Sequence, residues 1–206
     1  MSRPIFHFCR AALAALVAGS LLAACAGNAA ALSDIRYDLG PAAATAPPPS
    51  GTLPPLKVLD VNAPPPLDND GFMYRLGYAS QQSARYANSH WTTSPARLLT
   101  QRLRAALATH ASVLTGAEAV PAPVLRVDLE QFEQVFDSAT ESSGVLSARA
   151  TLIQDGKVIG QRSFLARAPA TTPDATGGAR ALASASDELV AEVAAWLSVQ
   201  PLVFTP

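Results

Sequence analysis

The strongest constraint on the fold lies in the second half of the sequence, where apolar and polar residues alternate. In PVLRVDLEQFEQVF, Leu125, Val127 and Leu129 alternate with charged residues, which is the pattern of a half-buried strand. The next segment, SGVLSARATLIQDGKVIGQRSFLARAPA, contains two further strands joined at Asp155-Gly156. Asp-Gly favours a tight hairpin turn because the glycine accepts a positive φ angle. These three consecutive strands predict a sheet.

Two other segments have the periodicity of amphipathic helices. The first has Ser94 as its predicted N-cap and Pro95 at its first helical position. Its apolar face is formed by residues at positions i, i+4, i+7 and i+8, which are Leu99, Leu103, Ala106 and Leu107. The second helix ends just before Pro201. Its apolar stripe consists of Leu182, Leu189, Val193 and Trp196.

Two shorter strands precede the first helix, one in LKVLDVNAP and one in FMYRLGYAS. The order along the chain is then strand, strand, helix, three strands, helix. Because amphipathic helices bury their apolar stripes against a sheet, we predict an α+β fold over residues 55–200. It is a two-layer sandwich with a largely antiparallel sheet of about five strands and two main helices on one face.

The N-terminal segment has the organisation of a secretory signal peptide, with a basic start, an apolar middle and small residues at its end. The apolar run AALAALVAGSLLAA is too short to span a bilayer, which takes about 20 residues. The tetrapeptide LAAC resembles the lipobox of bacterial lipoproteins, in which the cysteine receives a diacylglyceryl group and a peptidase cuts before it. We therefore predict a lipoprotein signal peptide over residues 1–24 and lipidation at Cys25. The alternative is an ordinary signal peptide with Cys25 incidental.

Residues 25–54 are predicted to form a tether that carries the lipidated cysteine. The stretch PAAATAPPPSGTLPP is rich in alanine and proline and cannot bury an apolar face, so an extended, partly polyproline conformation is expected. Ahead of it, IRYDL has enough apolar and β-forming residues for a short strand at 35–39. If this strand docks on the domain, the remaining tether is only about ten residues long.

Cysteine content and charge exclude several classes of function. The other cysteine, Cys9, leaves with the signal peptide, so the mature chain keeps no thiol for a disulfide, a zinc site or nucleophilic catalysis. Removing the two arginines of the signal peptide from 15 basic residues leaves 13 against 16 acidic residues, a net charge of −3. The sequence has no basic stripe, which argues against nucleic-acid binding.

No catalytic or metal-binding arrangement is evident in the mature sequence. Its two histidines, His90 and His110, lack the spacing of a metal site. Ser143 lies in ESSGV without the pattern of a nucleophile elbow and is predicted to lie in a turn. Alternation places the first two carboxylates of DLEQFE on the outer, solvated face of a strand. The three carboxylates are Asp128, Glu130 and Glu133. We therefore predict no enzyme activity, no metal and no cofactor.

An ordered set of features runs from LKVLDVNAP to RLRAAL. A Val-rich strand and a Pro-x-Leu loop are followed by Met73 and Tyr74 in an aromatic strand, then by Tyr86, Trp91 and the Ser94-Pro95 helix start. This set resembles the ABC-type transport auxiliary lipoprotein family, which includes the paraquat-inducible protein C lipoproteins of Gram-negative bacteria. The chain departs from the family in its long Ala/Pro linker and in the weak IRYDL segment, where the family tends to have a stronger aromatic strand.

The resemblance implies an outer-membrane lipoprotein that faces the periplasm. Such a protein would be an accessory subunit of an ABC/MCE-type transporter, which moves phospholipid or another hydrophobic cargo between the two membranes. Its partner would be the MCE-domain periplasmic subunit, and its lipid anchor would hold it in the outer membrane. Ala26 and Gly27 follow Cys25 without an aspartate, which agrees with outer-membrane sorting. Members of this family are not known as enzymes.

Two other classes of function stay open. An assembly or chaperone lipoprotein that supports an outer-membrane β-barrel machine would share the anchor and the sheet. A lipid-anchored hydrolase is disfavoured because the sequence has no catalytic set. Formation of a homo-oligomer also stays open.

Two tyrosines are candidate partner-binding residues. Aromatic side chains are enriched in the cores of protein interfaces, where they bury a large area at low entropic cost. Tyr74 and Tyr86 stand next to Arg75 and Arg85, which suggests a strand edge near water. The alternative is that both tyrosines pack the sheet against the helices. For Trp91, directly before the helix start, core packing is favoured.

Overall fold

The computed structural model describes residues 34–42, 53–79 and 82–202. These residues belong to one compact unit that begins at Asp34. The predicted signal peptide, Cys25 and most of the predicted tether lie outside the described residues. The predicted α+β class is confirmed, because one sheet carries two helices.

Eight strands and two helices make up the described part of the chain. The strands are β1 (Ile35–Tyr37), β2 (Leu56–Val58), β3 (Gly71–Leu76), β4 (Gln82–Trp91), β5 (Val113–Leu114), β6 (Val124–Phe136), β7 (Ser142–Gln154) and β8 (Lys157–Pro169). The helices are α1 (Pro95–Leu107) and α2 (Ala175–Ser198). A short 3-10 turn, Pro65–Leu67, lies in the Pro-rich loop between β2 and β3.

The sheet is organised around β6. On one side, β7 pairs with β6 in antiparallel orientation from Val124 to Phe136. On the other side, two shorter strands share the edge of β6, and both run parallel to it: β2 pairs with its first residues and β3 with its last ones. A bridge from Asn62 to Asp128 continues the pairing after β2. One edge of β6 is thereby paired along almost its whole length, and the other edge is paired at both ends and around Asp128.

The sheet extends outward from this centre on both sides. β4 pairs antiparallel with β3, and β1 pairs parallel with β4 at one edge. β8 pairs antiparallel with β7 at the opposite edge, and β5 pairs parallel with β2. The order across the sheet is therefore β1-β4-β3-β6-β7-β8, with β2 and β5 beside the first half of β6.

The sheet differs from the predicted one in strand number and in pairing. It has more strands than predicted, eight in the described residues, and it is mixed because β1, β2, β3 and β5 each take part in a parallel pair. Parallel neighbours are far apart in the sequence and leave no turn motif between them. The sequence does not predict β4, because its residues are mostly polar and exposed. Ser143 lies within β7 and not in a turn.

The two helices lie side by side on the sheet and enclose one core. On the predicted face of α1, Leu99, Leu103 and Leu107 have no exposed surface. The predicted stripe of α2 is also buried, at Leu182, Leu189, Val193 and Trp196. α2 packs across β7 and β8, and α1 packs against α2. The apolar residues of both helices and of the sheet form a single cluster.

The predicted hairpin turn between β7 and β8 is confirmed. Asp155 and Gly156 have positive φ angles of 51° and 74°. Both central residues of a type I′ turn require positive φ, which is why Asp-Gly is favoured there. Gln154 and Lys157 pair directly on either side of the turn.

The contact between α2 and β7 depends on a glycine. A Cβ atom on Gly144 would lie 2.4 Å from the backbone nitrogen of Leu182 and 2.5 Å from the carbonyl carbon of Ala181. Both atoms belong to the backbone of α2, which cannot rotate away as a side chain can. The helix therefore approaches β7 as closely as it does because residue 144 has no side chain.

We expect Gly144→Ala to destabilise the fold, because helix and strand must move apart to admit the methyl group. Overpacking of this kind costs about 1–3 kcal/mol, so the thermal unfolding midpoint followed by circular dichroism should fall. Ser147→Ala, on the same strand, is the control and should unfold near the wild-type temperature. An unchanged midpoint for Gly144→Ala would contradict the seating of α2 on β7.

Candidate functional site

Within the described residues, seven aromatic side chains form a continuous group between the sheet and the start of α2. We call this group the aromatic cluster. Its members are Tyr37, Phe72, Tyr74, Tyr86, Trp91, Phe132 and Phe136. They come from β1, β3, β4 and β6, which are neighbours in the sheet although they are far apart in the sequence. The cluster therefore exists only once the sheet has formed.

The inner part of the cluster belongs to the hydrophobic core. The ring centroids of Phe72 and Trp91 lie 4.5 Å apart, and Trp91 meets Phe132 edge-on at 5.2 Å. All three side chains are at most 1 % exposed. Each aromatic pair of this kind contributes about 0.5–1.5 kcal/mol beyond the burial of its area. Trp91 is thus a core residue, as its position before the helix favours.

The outer part of the cluster contains the two tyrosines that are predicted to bind a partner. Tyr74 and Tyr86 are half-buried, and their ring centroids lie 4.8 Å apart. Tyr86 also meets Phe72 at 5.2 Å, and Tyr74 meets Phe136 at 6.0 Å. The structure brings both candidates together on neighbouring strands and leaves part of each side chain accessible to solvent.

The hydroxyl group of Tyr86 belongs to a chain of hydrogen bonds. It donates to Gln134 Oε1 at 2.9 Å, and Gln134 Nε2 donates to Ser142 Oγ at 2.8 Å. Gln134 has no exposed surface, so Tyr86 satisfies a buried acceptor. Burial raises the pKa of Tyr86 to about 12, and the nearby Tyr74 and Asp174 contribute to this rise. The Tyr86 hydroxyl is therefore a protonated donor at neutral pH.

The first turn of α2 lies beside Tyr37 and Tyr86. Asp174 is its N-cap, and the carboxylate accepts hydrogen bonds of 2.8 Å from the Gly177 N–H and from Thr172 Oγ1. These hydrogen bonds hold the pKa of Asp174 below its usual value. Tyr37 from β1 forms a hydrogen bond of 3.0 Å with the hydroxyl of Thr176. The start of α2 is thus joined to the edge of the sheet as well as to its centre.

Two glycines in the first turn of α2 have no room for a side chain, Gly177 because of the preceding turn and Gly178 because of β6. A Cβ atom on Gly177 would lie 2.1 Å from the Thr172 carbonyl oxygen, and one on Gly178 would lie 2.2 Å from Gln134 Oε1. The glycine pair in TGGAR therefore has a packing role beside the aromatic cluster.

The carboxylates of DLEQFE are each paired with an arginine. The pairs are Asp128–Arg126, Glu130–Arg149 and Glu133–Arg75. The pairing of β6 with β7 shifts between Leu129 and Gln131, so the simple alternation of the sequence does not continue through Glu130. Glu133 is only 4 % exposed, and its partner Arg75 lies 2.8 Å away. Each of the three carboxylates therefore belongs to its own ion pair.

The two histidines of the described residues lie in separate surroundings. His90 Nε2 lies 3.9 Å from Asp34 Oδ1, and His110 Nε2 lies 2.8 Å from Thr109 Oγ1. Across the part of the chain that the structure describes, no three metal-ligating side chains are grouped together. No helix among the described residues is long and apolar enough to cross a membrane.

Two buried polar residues, Gln134 and Arg102, were not predicted from the sequence. The register of β6 shifts between Leu129 and Gln131, and as a result Gln134 faces the core. In the sequence alone, this position is simply a polar residue in a strand. Arg102 is 6 % exposed and lies three positions after Leu99, at the border of the apolar face of α1. An arginine at such a border is common on solvated helices, so its burial has no signature in the sequence.

Comparison with known proteins assigns the chain to a family. Residues 37–194 match the model of a family described as the ABC-type transport auxiliary lipoprotein component. The chain belongs to this family. The sequence resemblance to it is thus confirmed, over a region that contains the whole aromatic cluster.

Solved structures share the fold of this chain. This auxiliary lipoprotein is similar to protein XCC0632 from Xanthomonas campestris, with 18 % identity and a TM-score of 0.65 over 79 % of this chain and 90 % of that chain. It is also similar to an uncharacterised protein, with 19 % identity and a TM-score of 0.63 over 79 % of this chain and 97 % of that chain. At these identities the likeness concerns the fold alone. A comparison with curated proteins found no significant match.

The hydroxyl of Tyr86 should contribute measurably to the stability of this auxiliary lipoprotein. Tyr86→Phe keeps the ring and removes the donor to Gln134, so we expect the free energy of unfolding to fall by about 0.5–1.5 kcal/mol in urea denaturation. Tyr78→Phe is the matched control, because Tyr78 is 54 % exposed. Equal stability of the two variants would contradict a stabilising role for the hydrogen bond to Gln134.

Proposed function

We propose that this protein is an outer-membrane-anchored accessory subunit of an ABC/MCE-type transporter, which moves phospholipid or another hydrophobic cargo between the two membranes. The match of residues 37–194 to the transport auxiliary lipoprotein family carries the proposal. That match gives the general kind of protein. The outer membrane, the MCE-domain partner and the cargo are our extension of it.

The N-terminal sequence supports the membrane anchor. LAAC ends at Cys25 as a lipobox does, and Ala26 and Gly27 follow without the aspartate that retains a lipoprotein in the inner membrane. Each buried methylene contributes about 0.8 kcal/mol to membrane binding, and one acyl chain alone binds only marginally. The several chains of a mature lipoprotein would therefore hold the domain stably at the periplasmic face of the membrane.

The described residues favour a binding role over catalysis. The three carboxylates that stand out in the sequence are each paired with a different arginine, as in structural ion pairs. Tyr86, with its pKa raised to about 12, stays protonated at neutral pH and is poorly matched to proton transfer there. The side chains of the aromatic cluster are instead suited to contact.

The accessible parts of Tyr74 and Tyr86 are the candidate contact for the MCE-domain subunit. Because the Tyr86 hydroxyl already donates to Gln134, a partner would meet the rings themselves. The neighbouring Arg85 is exposed, and a polar rim around an aromatic centre is the usual arrangement of protein interfaces. The two rings in contact with each other would offer one surface.

Lipidation is tested at Cys25. We expect the wild-type protein to incorporate labelled palmitate and to fractionate with the outer membrane, whereas Cys25→Ala should remain an unlipidated precursor because it lacks the acyl acceptor. Cys9→Ala is the control, since it removes the other cysteine and should be lipidated normally. Label in Cys25→Ala, or none in the wild type, would refute the lipobox.

The accessory role is tested by co-purification with the periplasmic MCE-domain subunit of the same organism. The wild-type protein should form a complex with it. A soluble domain that lacks Cys25 should also bind the subunit. It should not restore transport, because it keeps its fold but is no longer attached to the membrane. Absence of any complex with the wild-type protein would refute the role, and recovery of a β-barrel assembly component would favour the alternative function.

The same assay tests the candidate contact. The double variant Tyr74→Ala/Tyr86→Ala should bind the subunit more weakly, because truncation of an interface hot spot costs about 1–4 kcal/mol per residue. Tyr78→Ala is the matched control, as an exposed tyrosine outside the aromatic cluster. Circular dichroism separates the two explanations of a loss of binding. A folded double variant supports an interface, and an unfolded one assigns both tyrosines to the core.

A further inference from the structure

The chain segment before the Ala/Pro-rich stretch is bound to the domain. β1 pairs with β4 in parallel orientation, with Ile35 opposite Ser89 and Tyr37 opposite Trp91. The Thr92 N–H continues this pairing by donating to the Tyr37 carbonyl at 2.7 Å. The chain that leads from the predicted lipid anchor therefore joins the domain as an edge strand.

Side chains hold the same segment in place. Arg36 donates to Asp70 Oδ2 at 3.0 Å and to the Trp91 carbonyl at 3.2 Å. The Arg36–Asp70 pair is about half exposed on both sides, so it contributes little by itself. Leu39, in contrast, is 6 % exposed and belongs to the hydrophobic core. The segment is thus inserted into the domain at its end, after β1.

A buried arginine, Arg102, holds the end of this segment by hydrogen bonds. The Arg102 side chain is only 4 % exposed. Its Nη2 donates to the Leu39 carbonyl and, at 3.1 Å, to the Gly40 carbonyl, while its Nη1 donates to the carboxylate of Asp187 in α2. Gly40 has a positive φ of 64°, and its N–H donates to Asp38 Oδ1 at 2.6 Å. This tight turn brings two successive carbonyls to one guanidinium group.

Because Arg102 is buried, its charged side chain depends on the N-terminal segment for two of its hydrogen-bond acceptors. A buried charge is costly unless its hydrogen bonds are satisfied, and two of the acceptors of Arg102 are the carbonyls of Leu39 and Gly40. Departure of the segment would remove both acceptors. Arg104 shows the contrast, because it donates to the Val58 carbonyl at 3.0 and 2.7 Å and pairs with the exposed Asp60, away from the segment.

We propose that β1, Leu39, Gly40 and Arg102 form a latch that sets the length of the membrane tether. With the latch closed, only residues 26–34 separate Cys25 from the domain, and they can span at most about 30 Å. If the domain held the chain only from β2 onward, residues 26–55 could span about 110 Å. This inference rests on the lipidation of Cys25 that the proposed function assumes.

The latch also restricts where the partner can be met. A domain held within about 30 Å of the lipid anchor can contact only a subunit that reaches the vicinity of that membrane. The candidate contact is coupled to the latch through β1, since Tyr37 belongs both to β1 and to the aromatic cluster. The latch therefore keeps the candidate contact surface close to the anchor.

Hydrogen exchange in the full-length protein tests the closure of the latch. Arg102→Ala should raise the exchange rate of the Thr92 amide, which bonds to Tyr37, by about tenfold or more, because two hydrogen bonds from a charged donor are lost. Arg104→Ala is the matched control in the same helix and should leave this amide unchanged. If Arg102→Ala does not fold, Leu39→Ala provides the second variant, since it loosens the same segment while Arg102 still pairs with Asp187.

Paired insertions test the length of the tether. The same Gly-Ser insertion is placed either within residues 26–33 or within 43–52 of the lipidated protein in vesicles. The donor dye is attached to Ser83→Cys, an exposed position in β4, and the acceptor is carried by lipid headgroups. In a protein whose only other substitution is Ser83→Cys, the insertion within residues 26–33 should lower energy transfer and the insertion within 43–52 should not.

Equal losses of energy transfer for the two insertions in the protein that keeps Arg102 would overturn the latch. So would unchanged exchange of the Thr92 amide in both Arg102→Ala and Leu39→Ala. The exchange measurement needs neither lipid nor partner, so failed lipidation at Cys25 or failed binding of the MCE-domain subunit can be told apart from failure of the latch.

Discussion

The fold depends on keeping both edges of β6 paired. This 13-residue strand lies in the middle of the sheet, where a buried backbone group without a partner costs about 1–3 kcal/mol. β7 covers one edge almost completely, whereas β2 and β3 cover the other edge in two parts. The Pro-rich loop with the turn Pro65–Leu67 joins these parts, so one stretch of chain serves both halves of β6. Every other strand is added to this arrangement.

The same arrangement creates the aromatic cluster. β3 places Phe72 and Tyr74 beside β6, and β4 adds Tyr86 and Trp91 from the next strand. The inner rings are buried in the core, while the outer tyrosines, Tyr74 and Tyr86, stay partly accessible to solvent. One group of residues therefore stabilises the sheet and also supplies a surface. The contact with the MCE-domain subunit that we propose would use this surface.

The N-terminal segment joins the domain as the edge strand β1. Family membership describes the kind of protein, but where the chain leaves the domain depends on a guanidinium group that holds two carbonyls of the N-terminal segment and a carboxylate of α2. Because Arg102 also bonds to Asp187, the attachment of the N-terminal segment is connected with the packing of α1 against α2. With the latch that we propose, the domain would be positioned by its own core in addition to its lipid.

Local periodicity in the sequence was sufficient to predict β6, β7, β8, α1, α2 and the Asp155-Gly156 turn, and with them the fold class. The family followed from a resemblance, carried by the ordered features between LKVLDVNAP and RLRAAL. The sequence also singled out Tyr74 and Tyr86, because aromatic residues next to arginines stand out in it. The parallel pairs, the polar strand β4 and the partners of the two buried polar side chains emerged only in the folded chain. Tyr86 and Gln134 are 48 residues apart, and Arg102 and Leu39 are 63 apart. The reason is physical: periodicity records which face of an element is buried, but the partner of a buried polar group is chosen by distant segments that meet only when the sheet has formed.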